Sequence, residues 1–215
     1  MFCLVHGLGV GQSYFNALGP ELGGGQVRPP AGSGSCGSIC AAGWRRKFTV
    51  SAQRECNAAP RRGSIGIWNR SHYEDVLVPR VHKQISEEAW RARCEDINAF
   101  ERLLARNGVT LLKFFLHISK DEQKARLQAR LSDPHKLWKF NPGDLKERAL
   151  WPDYQLAYEA VINRTSSEVA PWHVVSANHK WSRNVVVLRA MVAAMEAMNP
   201  QYPTPEFDPK TIVIE

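Results

Sequence analysis

The run Val109–Ile118, VTLLKFFLHI, constrains this chain more than any other stretch. Only Thr110, Lys113 and His117 break its apolar character, which makes it the best strand candidate in the chain. It leads straight into Ser119-Lys120-Asp121-Glu122. That tetrapeptide predicts a helix start, with the Ser119 hydroxyl and the Glu122 carboxylate each satisfying a free helix N–H. The helix is expected to stop before Pro134.

The same grammar recurs on both sides. Ser64–Asn69 is a short apolar run ending in a polar cluster, and it predicts another buried strand. Ser86 caps a helix running to about Asn107, with Trp90, Cys94, Ile97, Phe100 and Leu104 on one face and Gly108 as the stop. Pro142 opens a short helix where its missing N–H costs nothing, and a further helix covers about Asp153 to Asn163. Trp172–Ser176 predicts a third strand. A last helix spans about His179 to Met198, with Trp181, Val185, Leu188, Val192 and Met195 on one stripe. Strands alternating with helices predict an α/β protein with a mainly parallel sheet. Ligands of such sheets bind beyond the carboxyl ends of the strands. Three polar groups sit at those ends: Asn69-Arg70-Ser71, Ser119-Lys120-Asp121 and Asn178-His179-Lys180.

The chain has 215 residues, enough for one domain with a proper core. Its composition changes near residue 62. Residues 1–62 hold 11 of the 15 glycines, seven Lys/Arg and only two acids, Glu21 and Glu55. They account for +5 of the net charge of +7. Residues 23–43 show no helical or strand period and read as loop or disorder. Three parts are therefore expected: an atypical Gly/Arg-rich segment over 1–62, a folded domain over 63–202, and an extended proline-bearing tail over 203–215. Phe2–Gly9 reads as a short strand ending in a glycine turn. It resembles the start of an α/β-hydrolase, but the chain contains no G-x-S-x-G nucleophile motif. No apolar run is long enough for a bilayer span, and no basic, apolar leader opens the sequence. The five cysteines are odd in number and lack C-x-x-C spacing, so a cytoplasmic location is expected.

Two clusters could carry chemistry. Asn69-Arg70-Ser71-His72-Tyr73-Glu74-Asp75 places a guanidinium, hydrogen-bond donors and an acid pair directly after a strand. Arginine recognises phosphate oxygens with its planar fork, and carboxylates hold Mg²⁺, which keeps several waters. A helix N-cap at Ser71 with solvated charges explains the same residues more simply. The second cluster is basic: Lys120, Lys124, Arg126, Arg130, Lys136, Lys139, Lys146 and Arg148. Arg126 and Arg130 share a helix face, and Lys139 lies between Trp138 and Phe140. Interspersed acids also allow a merely solvated face. The histidines make no metal-ligand spacing, and Cys94 reads as an inert core residue. Net charge alone does not single out nucleic acid, and no nucleic-acid motif is present.

The strings GSIGIWNRSHYEDVLVPRVH, CEDINAFERLLARNGVTLLKFFLHISKDEQKARLQARLSDPHKLWKF, DLKERALWPDYQLAYEAV and APWHVVSANHKWSRNVVV resemble the polyphosphate kinase 2 family, in the right order, from about Arg61 to Tyr202. The resemblance implies a P-loop kinase-like fold, a parallel sheet between helical layers with a helical lid. It implies phosphoryl transfer between inorganic polyphosphate and an AMP- or ADP-type nucleotide, with Mg²⁺. It suggests a homo-oligomer, and no membrane or specific nucleic-acid partner. By the same resemblance Asn69, Arg70 and Glu74 would serve catalysis, Asp75 the metal, and Tyr73, Arg126, Arg130, Lys136, Lys139 and Arg148 substrate binding. Family members often carry Asp where Asn69 stands, which weakens direct metal binding there.

The departure is as informative as the match. The family's phosphate-binding loop, G-x-D-x-x-G-K, should stand upstream of Asn69. Residues 1–62 contain no Asp, and their single lysine, Lys47, has no glycine loop before it. The first 62 residues are therefore expected to be foreign to the domain. The sheet is expected to lack the central strand beside Ser64–Asn69 and to expose unpaired edges. Catalysis is expected to be impaired or lost, leaving a polyphosphate-binding fragment or partner subunit as the alternative.

Overall fold

The computed structural model describes residues 2–7, 63–69, 71–202 and 207. Four strands form one sheet in the order β2-β1-β3-β4. They are β1 Phe2–Gly7, β2 Gly66–Asn69, β3 Leu111–His117 and β4 Trp172–Ser176. All three pairings are parallel. The helices are α1 Glu74–Val81, α2 Glu87–Arg106, α3 Lys120–Leu131, α4 Gly143–Ala149, α5 Trp151–Thr165 and α6 Lys180–Met198. A short 3₁₀ turn, Leu137–Lys139, links α3 to α4. No described helix is long and apolar enough to cross a membrane.

Strand β3 forms where its sequence predicts a strand, and its first six residues are buried. Tyr73, Val76, Trp90, Cys94, Phe114, Phe115 and Val161 join it in the main core. Helix α2 begins and ends as expected. The Ser86 side chain accepts from the Ala89 amide at 3.1 Å, and Trp90, Cys94, Ile97, Phe100 and Leu104 are all buried. Gly108 follows at φ +79°, a conformation glycine adopts without steric cost. Only half of the predicted capping box forms at α3. Ser119 Oγ accepts from the Glu122 amide, but the Glu122 carboxylate turns outward to Arg126, and the Ser119 amide donates to the Asn178 side chain.

Two expectations are overturned. The sheet does not lack its central strand: Phe2–Gly7 lies between β2 and β3, with Phe2 opposite both Gly66 and Leu111. The chemical identity of the segment mattered less than its capacity to extend and satisfy the ladder on both sides. Residues 8–62, among them the 23–43 stretch expected to be loop or disorder, lie outside the described residues, as do most of 203–215. The second correction concerns α6. Val187, Ala190, Met191 and Ala194 pack on the core, while the stripe Trp181, Val185, Leu188, Val192 and Met195 faces outward, with Trp181 72% and Leu188 56% exposed. A helix with apolar residues on two sides can dock either one, and the alanines allow the closer approach to the sheet.

Cys94 behaves as a core residue. Burial pushes its thiol up to about 11, so almost no thiolate exists at neutral pH. In the folded chain it should resist alkylation by iodoacetamide and react only on unfolding. Peptide mapping checks this, and rapid native labelling of Cys94 would show that α2 opens locally.

Candidate functional site

The carboxyl ends of β3 and β4 are joined. The Ala177 amide donates to the His117 carbonyl at 2.7 Å, continuing the ladder past the strands. The Ser119 amide donates to Asn178 Oδ1 at 3.0 Å, and Asn178 Nδ2 reaches Ser119 Oγ at 3.4 Å. Two of the three predicted polar tips are thus one structure.

Two of the predicted basic residues converge on it. Arg126 donates from Nε to Glu122 at 2.7 Å and from Nη2 to the carbonyls of Ala177 and Asn178 at 2.8 and 3.1 Å. Arg148, from α4, donates from Nη1 to the Lys120 carbonyl and to Gln123 Oε1, each at 2.7 Å. These bonds fix the two guanidinium groups at the strand tips and hold α4 over α3. Arg130 is half-buried on α3. Lys136 and Lys139 lie farther out, on the turn between α3 and α4. Lys136 pairs with Asp133, and the Lys139 ammonium sits 4.9 Å from the centre of the exposed Trp138 ring. Asp133 is held below its usual carboxylate range by Lys136 and the His135 amide.

The segment after β2 is anchored differently from the expectation. Asn69 ends the strand, but its side chain and all of Arg70 lie outside the described residues. Ser71, His72 and Tyr73 are buried, and the helix begins at Glu74 with no side-chain cap, while Ser71 Oγ accepts from the Tyr73 amide at 3.4 Å. Tyr73 does not line an open surface. Its hydroxyl donates to Glu101 Oε1 at 2.7 Å and accepts from Lys113 Nζ at 3.0 Å. Lys113 also donates to Glu101 Oε2 at 2.7 Å and to the Thr165 carbonyl at 2.8 Å. The His72 ring packs tilted against Tyr73, with centroids 4.7 Å apart, and its Nε2 lies 3.9 Å from Glu101. Burial, and then the Glu101 charge, raise the Tyr73 pKa well above its ordinary value. Burial lowers that of Lys113, while Glu101 opposes the shift. Glu101 and Lys113 carry no weight in a motif-based reading. Their signals were a lone cation inside an apolar strand, and a carboxylate one turn from Ile97 and Leu104 on the core face of α2.

Glu74 and Asp75 open α1, both half-buried. Asp75 Oδ2 is buried with no hydrogen-bond partner. No group of three or more His, Cys, Asp or Glu able to hold a metal occurs among the described residues.

A parallel sheet in this order, flanked by helices, with cationic and amide groups at the carboxyl tips, is the architecture of a P-loop kinase-like protein. The chain belongs to the polyphosphate kinase 2 family, whose model matches residues 45–203. The match begins upstream of the composition break. The chain is 54% identical over 156 residues to the AMP/ADP-polyphosphate phosphotransferase of Meiothermus ruber, covering 73% of this chain and 58% of the relative. It is 42% identical over 156 residues to the ADP-polyphosphate phosphotransferase of Rhodopseudomonas palustris, covering 67% and 54%. It therefore spans a little over half the length of these two relatives. The crystal structure of polyphosphate kinase 2 from Arthrobacter aurescens TC1 superposes with a TM-score of 0.77 at 33% identity, over 96% of this chain and 71% of that one.

Proposed function

We propose that this chain is a phosphotransferase domain built to move phosphoryl groups between inorganic polyphosphate and AMP- or ADP-type nucleotides, and that its turnover is impaired. The observation that carries the reading is the convergence of Arg126 and Arg148 on the joined tips of β3 and β4. Phosphoryl transfer depends on positioning and on neutralising charge, with little covalent work for the protein. Lys136 and Lys139 extend that positive field along the α3–α4 turn, where a phosphate chain would run. Arg130 continues it on α3. Asn69, Arg70 and Glu74 would act at the transferred group.

Mg²⁺ is usually held by one or two carboxylates together with substrate phosphates, so the small acid set here suits it. Asp75, with its buried oxygen lacking a partner, would hold the ion, which would supply charge neutralisation when bound. Impairment follows from the residues after β1. Leu8-Gly9-Val10-Gly11-Gln12-Ser13 has glycines but neither the lysine nor the aspartate of the family's loop. The same fact favours a second reading, a chain that binds polyphosphate without turning it over, alone or beside an intact subunit. The domain division also belongs to this proposal: a domain spanning 63–202, to which Phe2–Gly7 adds a central strand and the family match adds residues from 45, a tail over 203–215, and a cytoplasmic setting.

Titration calorimetry with polyphosphate and with duplex DNA tests the reading. Polyphosphate should bind more tightly at equal salt, and Lys136→Ala/Lys139→Ala should weaken it several-fold and flatten its salt dependence. Equal or tighter binding of DNA would contradict the assignment.

A further inference from the structure

Helix α4 brings Arg148 to α3, yet little in its own packing sets its position. A helix of seven residues is too short to be stable by itself. Asp144 is its one buried residue, and its leucine, Leu145, is 54% exposed. Apolar packing of α4 therefore does not aim Arg148. The preceding residue, Glu147, reaches toward α1 and α5 instead of α3. Its Oε2 accepts from the Tyr154 hydroxyl at 2.7 Å and from His82 Nε2 at 3.1 Å. An ionised carboxylate has no proton to give, so the ring nitrogen is the donor. Both donors stand on helices that the core fixes. His82 directly follows α1, and Tyr154 lies in the first turn of α5. Those two helices share the main core through Val76, Val81, Ala157 and Val161. Helix α4 is thus gripped on two sides: by Glu147 against α1 and α5, and by Arg148 against the Lys120 carbonyl and Gln123 of α3.

The grip on the Glu147 side is not there for stability. His82 and Glu147 are each about a third exposed, at 31% and 30%, where an ion pair contributes little. A carboxylate beside an arginine that meets phosphate also opposes the ligand by its charge. We propose that Glu147, held by Tyr154 and His82, is a positioning residue for the phosphoryl-transfer site. It sets the angle of α4 and thereby the place of the Arg148 guanidinium. It acts through Arg148 and not on the phosphate. The inference rests on the proposed function in one respect, that Arg148 meets the phosphate chain.

Titration calorimetry with tripolyphosphate on the full chain, at a series of salt concentrations, tests the role. The variants are Glu147→Ala, Glu147→Gln, Tyr154→Phe, Arg148→Met and Glu147→Ala/Arg148→Met. Charge alone would make Glu147→Ala bind the polyanion more tightly, because a carboxylate is lost. Positioning requires the opposite sign. Glu147→Ala should bind several-fold more weakly, with its salt dependence reduced by about one phosphate contact. Glu147→Gln keeps an acceptor at the same reach and should keep most of the affinity. The double variant should bind no more weakly than Arg148→Met, since the two residues act as a unit. The melting temperature of Glu147→Ala should stay near that of wild type. A merely structural residue would shift melting and leave tripolyphosphate affinity unchanged. Glu147→Ala binding as tightly as wild type or more tightly, or losses that add in the double variant, would overturn the role. If Glu147→Ala does not fold, Tyr154→Phe, which removes only the hydroxyl, decides in its place: weaker binding supports the role and unchanged binding overturns it. Arg148→Met binding like wild type, while Lys136→Ala/Lys139→Ala binds more weakly, would overturn the role and leave the proposed function standing. No binding of tripolyphosphate to wild type would overturn both.

Discussion

Replacing Lys113 with alanine is expected to destabilise the chain by about 3–5 kcal/mol, the cost of leaving one member of a buried ion pair alone. Lys113 and Glu101 are both almost fully buried, and their contact is 2.7 Å. Without the ammonium, the Glu101 carboxylate keeps, among the described residues, its Tyr73 hydrogen bond and the distant His72 ring. It would have to take up a proton or unfold its surroundings. Urea titration followed by circular dichroism at pH 7 checks this, and a loss below about 1 kcal/mol would show that water or rearrangement rescues the charge. The double variant Lys113→Met/Glu101→Leu should recover much of the loss, because a packed apolar pair avoids the desolvation of both ions. A double variant no better than Lys113→Ala would mean that packing, rather than the unpaired charge, sets the penalty. The network also bears on function. It fixes Tyr73, which directly precedes the acids Glu74 and Asp75 in the sequence.

Polyphosphate-dependent formation of ADP or ATP should be at least about 10²–10³-fold slower than in a relative with an intact G-x-D-x-x-G-K loop. Removing a single preorganised donor from a transition-state site already costs that much. Here neither a lysine nor an aspartate stands in Leu8–Ser13, directly after β1. A luciferase-coupled assay on protein whose mass matches this sequence reads the rate directly. Turnover comparable to the relative would show that the loop residues are dispensable or replaced from elsewhere, and the impairment would have to be abandoned.

Much of the fold was legible because burial writes itself as periodicity. The α2 stripe from Trp90 to Leu104 and the unbroken run of β3 each have one stable placement. Helix α6 has two apolar stripes, and spacing alone does not choose between them; Ala190 and Ala194 decide it by allowing close packing. Strand β1 was legible as a strand but not as the centre of the sheet, because pairing between distant segments leaves no local mark. At the site, residue types marked a basic stretch from Lys120 to Arg148, and the family resemblance named Arg126 and Arg148 within it, beside Arg130, Lys136 and Lys139. Their bonds to backbone carbonyls could not, since those depend on where the β4 tip falls relative to α3. The burial of Tyr73 could not be read from its place in a polar cluster. The charged pair that buries its hydroxyl comes from residues 28 and 40 positions away.

Diffraction from crystals soaked with polyphosphate and ADP tests the central claim most directly. The account predicts phosphate density at the joined tips of β3 and β4, against Arg126 and Arg148, with Arg70 turned toward it. Density for the anions elsewhere on the chain, with those three arginines untouched, would contradict it.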